Sequence, residues 1–394
     1  MSFPTKTIYF TAGFILIAAL AGFYLLRSKQ SVDPQPAAKI IYQIRHMGQK
    51  NGEEKADYHA VNLDGTGDTV IHTMDSGANV LLLDHTAILA ATSVFDATGK
   101  SLDDQYKSLG FEQMISLSSN ASPIYSEDKN RLALFFVPTK STSSPAVNAV
   151  DIEILDIPTG TMKNYPCEVC VTYSPDYKTL DGFSPNGRDL YYSLRRNPAP
   201  QQSRAEPDEK FFTLDTVSGD TREVAIPWHI GDYHTIYPHF GRVVKITNPV
   251  GISLRDATTS LALVSLTDFS EKQLITDSII STRPIFDGTD IVYTANRMTT
   301  ATSGVNVITG VNSVTGKQYS ITDTHMSDHP ADAILLLKDF VPNSKTFLYE
   351  ILTGSHTSEI RAHDIDTGKD WSLLKSENLT DRTSDMAQYI GVIF

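Results

Sequence analysis

Side chains that could bind a ligand are concentrated in two short segments of the sequence. They are Trp228, His229, Asp232, Tyr233 and His234 in the first segment, and His325, Asp328 and His329 in the second. His and Asp supply hydrogen bonds and metal ligands, and Trp and Tyr supply stacking surfaces. Spread over two segments, the His and Asp residues lack the spacing of a tetrahedral metal site. We therefore expect a binding face, and no metal or other cofactor.

Four further charged residues adjoin short apolar runs that favour β-strands: Asp84, Asp181, Arg283 and Asp339. Side chains at such positions can point into a channel, and a glycosidase needs paired carboxylates at a defined separation. Aspartate is also an ordinary turn former. The sequence contains no G-x-S-x-G motif, which disfavours nucleophilic hydrolysis. We assign no catalytic residue.

The only two cysteines, Cys167 and Cys170, have the spacing C-x-x-C. Two thiolates make only half of a zinc site, and no thioredoxin-like pattern surrounds them. A local disulfide is the favoured interpretation. Free thiols, or a redox or metal role, are the alternatives.

The elements that carry these residues are indicated by an aromatic residue that recurs at intervals of about 50 positions. The anchors are Tyr125, Phe183, Phe240, Phe286 and Phe340, and each precedes a polar turn and a short apolar strand. A second marker keeps the same phase, an Asp or Asn that opens a turn closed by Gly, at 156–160, 215–219, 312–316 and 364–368. Repeated short strands with this period are typical of a β-propeller.

The length of the chain predicts seven blades, with six or eight as alternatives because 96–110 is polar. The predicted blades after the first are 78–117, 121–165, 180–226, 234–275, 282–322 and 333–374. The first blade begins at residue 40 and lacks an innermost strand. We predict that the C-terminal segment 389–394 supplies it, because a circular array needs every sheet edge to be paired. The fold class is therefore all-β, with a propeller over 40–394.

The N-terminal segment is apolar over about 19 residues, from 8 to 26, which is enough helix to cross a membrane. We predict a transmembrane anchor helix over 1–27 and a stalk over 28–39 that contains Pro34 and Pro36. A cleaved signal peptide is the alternative, because Ala19 and Ala21 resemble a cleavage site. The anchor predicts a single-pass membrane protein with its propeller outside the cytoplasm, in the periplasm or at the cell surface.

The charge of the chain limits its partners. With 33 Lys and Arg against 46 Asp and Glu, the net charge is −13. An acidic surface repels phosphate backbones, so we expect no nucleic-acid partner.

The segment 183–192 begins with Phe183, Ser184, Pro185, Asn186 and Gly187 and ends in an apolar strand. It resembles the bacterial WD40-like repeat of TolB-type propellers, and 286–293 and 340–349 are weaker copies. The resemblance implies a propeller but says little about function, because such propellers occur as scaffolds, enzyme lids and catalytic domains. TolB-like chains often carry a separate N-terminal domain, which the predicted anchor and stalk replace here.

These observations predict a membrane-anchored, extracytoplasmic propeller that acts as a non-catalytic binding scaffold. Its partner would be a protein, a small ligand or a carbohydrate at the propeller face, and its N-terminal helix would contact the membrane. One alternative is a glycosidase-like enzyme acting on carbohydrate with channel-facing carboxylates. The other is a structural component of the cell envelope.

Overall fold

The computed structural model describes most of the chain from residue 38 onward. The described residues are 38–46, 55–75, 80–82, 86–90, 93–106, 124–126, 130–136, 150–159, 161–173, 177–196, 208–226, 232–247, 259–277, 279, 283–298, 304–321, 334–353, 356–375 and 385–393.

Short strands rich in Val, Ile, Leu, Tyr and Phe, with turns between them, make up almost all of the described residues. The strands are β1 Lys39–His46, β2 Lys55–Asn62, β3 Thr69–Asp75, β4 Val80–Leu82, β5 Ala87–Ala90, β6 Ser93–Asp96, β7 Ile124–Tyr125, β8 Arg131–Phe136, β9 Asp151–Asp156, β10 Thr161–Pro166, β11 Tyr177–Phe183, β12 Asp189–Arg196, β13 Asp208–Asp215, β14 Thr221–Val224, β15 Asp232–Tyr237, β16 Arg242–Thr247, β17 Thr259–Ser265, β18 Glu271–Asp277, β19 Ile285–Phe286, β20 Asp290–Met298, β21 Gly304–Asn312, β22 Gln318–Ser320, β23 Ile334–Phe340, β24 Thr346–Thr353, β25 His356–Asp364, β26 Asp370–Lys375 and β27 Asp385–Ile393. The helices are short: α1 Asp103–Tyr106, α2 Glu168–Tyr173 and a 3₁₀ helix Pro238–Phe240.

The strands form six antiparallel blades of four strands each. In order from the innermost strand, the first blade is β27-β1-β2-β3, the second β7 to β10, the third β11 to β14, the fourth β15 to β18, the fifth β19 to β22 and the sixth β23 to β26. Innermost strands of neighbouring blades touch, as β7 touches β11, β11 touches β15 and β19 touches β23. The architecture is that of a β-propeller.

The prediction of seven blades is wrong, because the structure has six. The segment predicted as blade two forms a three-stranded sheet, β4-β5-β6, that lies between the first and second blades. The polar stretch after β6 turns at Gly99 and enters α1 instead of adding a strand. Asp96 stabilises that turn by accepting hydrogen bonds from the backbone of Thr98 and Lys100. Dividing chain length by one repeat length therefore counted as a blade a segment whose described residues form a three-stranded sheet.

The C-terminal strand β27 is the innermost strand of the first blade. It pairs antiparallel with β1, from Lys39 opposite Ile393 to His46 opposite Asp385. This is the closure that the sequence predicted, although the strand starts at Asp385, four residues earlier than the predicted 389. Because β1 and β27 come from opposite ends of the domain, their pairing in one blade closes the ring of blades.

The apolar core lies between consecutive sheets. Phe211 of the third blade packs with Val243 of the fourth, and Leu348 of the sixth packs with Ile40 of the first. Strands whose two faces both meet a neighbouring sheet are apolar on both faces, as the burial of β16 and β20 shows.

The described residues contain no helix that is long and apolar enough to cross a membrane. The predicted transmembrane helix, which was part of the predicted fold class, is thus not found in the structure, and residues 1–27 and the stalk up to 37 lie outside the described residues.

Candidate functional site

Asp181 lies on the innermost strand of the third blade at a β-bulge. Leu180 pairs with Tyr192 and Gly182 pairs with Tyr191, so Asp181 has no opposite residue in the ladder. Bulges bend a strand and redirect a side chain, and they occur frequently next to functional sites. Asp181 is partly exposed as a residue, but its Oδ2 atom is buried and has no hydrogen-bond partner in the described structure.

The environment of Asp181 disfavours its charged form. Burial, and to a lesser extent the Glu209 carboxylate, raise the pKa of Asp181 to about 7. A hydrogen bond with Ser193 and the positive charge of Arg283 act in the opposite direction. A carboxyl group with this pKa is partly protonated at neutral pH and can donate or accept a hydrogen bond.

Glu209 lies on the same face of the third blade as Ser193. It precedes Phe211 by two positions on β13, and Phe211 pairs with Ser193. Burial also raises the pKa of Glu209, against the charge of Arg195. The ring of His234, on β15 of the fourth blade, meets Phe211 edge-on at 5.8 Å between centroids. Asp181, Glu209 and His234 therefore lie along one interface between two blades.

Tyr237 links this interface to the next two blades. Its hydroxyl donates a hydrogen bond to the carbonyl of Pro284, immediately before β19. Burial raises the pKa of Tyr237, the carboxylate of Asp339 raises it further and the charge of Arg283 opposes both. Because Arg283 also acts on Asp181, three of the predicted channel residues, Asp181, Arg283 and Asp339, share one electrostatic environment.

Asp339 lies at a second bulge, on the innermost strand of the sixth blade. Leu337 pairs with Tyr349 and Phe340 with Phe347, so Lys338 and Asp339 together oppose one residue of β24. Lys338 forms an ion pair of 2.8 Å with Glu350. Asp339 is exposed at this position and contributes a negative charge to the ring of inner strands.

The inner strands also expose large apolar side chains near their first residues. Tyr177 at the start of β11 is 60% exposed, and Ile334 and Leu336 at the start of β23 are 49% and 37% exposed. Exposed side chains on an innermost strand border the central channel. On β11 and β23 the channel wall is thus apolar where the strand begins and carboxylate-bearing near its end.

Most of the predicted binding face cannot be placed. Trp228, His229, His325, Asp328 and His329 lie outside the described residues, and so does the predicted channel residue Asp84. The other three predicted residues, Asp232, Tyr233 and His234, lie on a described strand. They form the first half of β15, because Asp232 pairs with Thr247 and His234 with Lys245.

Cys167 and Cys170 are joined by a disulfide with a Cα–Cα distance of 5.2 Å. Both are buried at the start of α2, in the cluster that contains Leu180 and Tyr192. The described residues contain no group of three or more His, Cys, Asp or Glu side chains that could hold a metal ion.

Sequence reasoning missed Tyr237, Glu209 and Tyr389. Burial raises the pKa of Tyr389 well above its usual value, and the carboxylates of Asp339 and Glu350 add to this. Tyr237 was visible as an aromatic residue just before Pro238, in a repeat whose anchor is Phe240. Glu209 and Tyr389 carried no local signal, because their neighbours come from other strands.

No family model matches the chain, and no curated protein matches it in sequence. Solved structures do resemble it. A prolyl endopeptidase matches with a TM-score of 0.51 and 11% identity over 90% of this chain and 50% of its own. TolB from Acinetobacter baumannii matches with a TM-score of 0.38 and 13% identity, over 71% of this chain and 62% of its own. An oligogalacturonate lyase in complex with manganese matches with a TM-score of 0.49 and 10% identity, over 80% of this chain and 86% of its own.

The chain thus spans less than two thirds of the TolB chain and half of the prolyl endopeptidase. Identities this low carry the fold and no activity. The strand order described above, together with the likeness to the prolyl endopeptidase, identifies this protein as an all-β β-propeller.

Proposed function

We propose that this protein is a non-catalytic binding scaffold that takes up its ligand among the inner strands. The observation that carries the proposal is the buried Oδ2 of Asp181, which has no hydrogen-bond partner in the described residues. A buried acceptor without a partner costs free energy of about 1–3 kcal/mol. A fold retains such a cost most readily where a ligand supplies the missing donor.

The arrangement around Asp181 supports the same proposal. The charge of Arg283 in the fifth blade acts on Asp181 in the third, and both Arg283 and Asp339 of the sixth blade act on Tyr237. Bulges at Asp181 and at Asp339 redirect two of these side chains. Charged groups held on rigid inner strands form a preorganised site, which reduces the entropy lost on binding.

We place the domain outside the cytoplasm, in the periplasm or at the cell surface. The disulfide between Cys167 and Cys170 supports this location, because structural disulfides persist in oxidising compartments and are rare in the cytosol.

The test compares the wild type with the double variant Asp181→Asn, Asp339→Asn. Each protein is immobilised and incubated with an extract of the source cells, and the retained small molecules and proteins are identified by mass spectrometry. The matched control is Asp220→Asn, an exposed turn residue. We expect that the wild type and the control retain at least one small molecule or protein that the double variant does not retain. Identical retained sets for all three proteins would refute the scaffold and favour a purely structural role.

A second candidate is an enzyme acting on carbohydrate. The observation that favours it is that Asp181, with a pKa of about 7, has the protonation behaviour of a general acid beside a second carboxylate, Glu209. Purified protein would be assayed for release of reducing ends from plant and bacterial polysaccharides. Activity that Asp181→Asn abolishes and Asp220→Asn retains supports this candidate, and equal rates for both variants exclude it.

A further inference from the structure

We infer that the channel binds a primary ammonium group carried on an aliphatic chain. In this arrangement the ammonium donates to Oδ2 of Asp181, and the chain lies along the apolar side chains where the inner strands begin. This inference rests on the proposed binding function and names the chemistry of its ligand.

The first argument compares Asp181 with buried carboxylates elsewhere in the ring. Glu350 is paired with the ammonium of Lys338 at 2.8 Å, and Asp287 and Asp290 share the ammonium of Lys345 at 2.6 and 2.7 Å. In each case a lysine of the chain neutralises the carboxylate. A buried charge is stable only when it is paired and hydrogen-bonded.

Asp181 has no such lysine among the described residues. The positive charge that acts on it is that of Arg283, which is exposed and also acts in the environment of Asp339. The second carboxylate of the interface, Glu209, is opposed by Arg195. An ammonium group from outside would therefore supply at Asp181 what Lys338 and Lys345 supply elsewhere.

The second argument concerns the shape of the cation. A guanidinium group binds best to both oxygens of a carboxylate, whereas an ammonium group is compact and acts as a point charge. One buried oxygen is open at Asp181, because the carboxyl group is already hydrogen-bonded to Ser193. The described residues also contain no set of three ligands for a metal ion. A single ammonium group fits this donor requirement.

The third argument is the apolar wall. Tyr177 lies four residues before Asp181 on β11, which corresponds to about 13 Å of extended strand. Alternation places Tyr177 and Thr179 on one side of the strand, in agreement with their exposure. Thr179 pairs with Ser193, and Asp181 is hydrogen-bonded to Ser193, so the Asp181 side chain lies on that side as well despite the bulge. Ile334 and Leu336 are exposed at the start of β23. A ligand whose ammonium group binds Asp181 and whose chain extends along these strands would contact apolar side chains over the rest of its length.

The test is isothermal titration calorimetry of the full chain with octylammonium chloride at pH 7.5 and fixed ionic strength. We expect saturable binding to the wild type and to Asp220→Asn. Asp181→Asn should weaken it at least 10-fold, in line with the loss of a charge-assisted hydrogen bond. Octanoate, which has the same chain and the opposite charge, should not bind. Equal affinity for octanoate, or unchanged affinity of Asp181→Asn, would overturn the inference.

Two further measurements separate the polar and apolar parts of the site. Leu336→Ala should weaken the binding of octylammonium about 5-fold, because apolar contact between this exposed side chain and the octyl chain is lost, and leave the binding of ethylammonium unchanged. Equal effects on both ligands would contradict the placement of the chain. A circular dichroism spectrum of each variant, recorded before titration, would check that the variant is folded.

Proton release gives an independent readout. If the ammonium binds ionised Asp181, then about half a proton should be released per ligand at pH 7, since its pKa is about 7. The apparent binding enthalpy should therefore differ between phosphate and Tris buffers for the wild type and not for Asp181→Asn. The titratable and charged groups on the elements packed against β11 are Tyr125, Arg131, Asp189, Tyr191, Tyr192, Arg195, Arg196, Asp232, Tyr233, His234, Tyr237, His239 and Arg283, with Glu209 on β13 beyond them. A buffer dependence that persists in Asp181→Asn assigns the proton to one of them and refutes this part of the inference.

Failure of this inference is distinguishable from failure of the proposed function. If octylammonium does not bind, but the extract still yields a species that the Asp181 and Asp339 double variant loses, the scaffold stands and the ammonium ligand is wrong. If neither binds, both are wrong.

Discussion

The side chain of Glu350 accepts a hydrogen bond from the backbone amide of Tyr389 at 3.1 Å. Glu350 lies on β24 in the sixth blade, and Tyr389 lies on the C-terminal strand in the first. The other oxygen of the same carboxylate holds Lys338, whose ammonium group lies 5.8 Å from the centre of the Tyr389 ring. One buried carboxylate thus ties the last blade to the strand that closes the ring.

Removing this carboxylate should weaken the closure. Glu350→Ala is expected to lower the free energy of unfolding by about 3 kcal/mol, because it leaves Lys338 without its partner in a largely buried position. Glu350→Gln should cost less, since its amide oxygen can still accept from Tyr389. Urea unfolding followed by fluorescence measures both.

The matched control is Glu223→Ala, which breaks an exposed ion pair with Lys210. It should change stability by no more than about 0.5 kcal/mol. A Glu350→Ala variant as stable as this control would show that the closure does not depend on Glu350.

Asp370 should make the sixth blade sensitive to acid. Burial opposes its ionisation, yet a hydrogen bond from His363 and the charge of Arg361 hold the pKa of Asp370 below its usual value. A carboxylate with a lowered folded-state pKa stabilises the protein above its unfolded pKa of about 4, and this contribution is lost as the pH falls further. We expect Asp370→Asn to be less stable than wild type at pH 7 by about 2–3 kcal/mol.

The difference between these two proteins should shrink as the pH is lowered from about 5 towards 2. Thermal unfolding followed by circular dichroism across this range gives both curves. Asp220→Asn, in an exposed turn, should follow the wild-type curve throughout. A constant gap between Asp370→Asn and wild type would mean that the ion pair does not titrate as described.

Asp181 should have the opposite pH dependence. Because burial raises the pKa of Asp181 to about 7, the folded state binds its proton more tightly than the unfolded state. Its contribution to stability is present below about pH 4 and is lost as the pH rises through about 7. Asp181→Asn should therefore raise the melting temperature relative to wild type at pH 8 and change it little at pH 4.5. A lower melting temperature at pH 8 would contradict a buried carboxylate without a full counter-charge.

The disulfide should contribute a limited amount of stability. It closes a loop of four residues, for which the chain-entropy estimate is about 2 kcal/mol. The variant Cys167→Ser, Cys170→Ser should therefore still fold and unfold at a lower urea concentration. Wild type treated with reductant should show a similar loss, with alkylation and mass spectrometry confirming the free thiols. If neither sample is less stable to urea than the oxidised wild type, the packing around α2 is enough to stabilise this segment without the disulfide.

The repeated turn motifs depend only on residues that are close together in the sequence, and for this reason the turns could be predicted from the sequence. Asp215 accepts hydrogen bonds from the backbone of Val217 and Ser218, and Gly219 adopts a positive φ of 83°, as the predicted turn requires. These preferences act over five residues and need no other part of the chain. The blade number was not local: the segment predicted as the second blade forms a three-stranded sheet, and the described residues after Asp96 form a turn and α1.

The candidate site was predictable only in part. Asp181, Arg283 and Asp339 were identified because a charged residue at an apolar strand is unusual. The electrostatic effects that link these residues could not be predicted. The two bulges could not be predicted either, because a bulge depends on the register with the next strand. His234 was predicted as the first residue of its blade, whereas β15 begins at Asp232, because the repeat period located each blade but not the first residue of its inner strand.

By itself, the sequence determined that the chain forms a propeller and where its turns and hairpins fall, because turn chemistry and strand alternation operate between near neighbours. Only the tertiary structure decided how many blades there are and which buried carboxylates receive a lysine. Glu350 meets Lys338, while Asp181 meets no lysine of the described residues. Such pairings join side chains from different strands and blades, and no periodic pattern in the sequence specifies them.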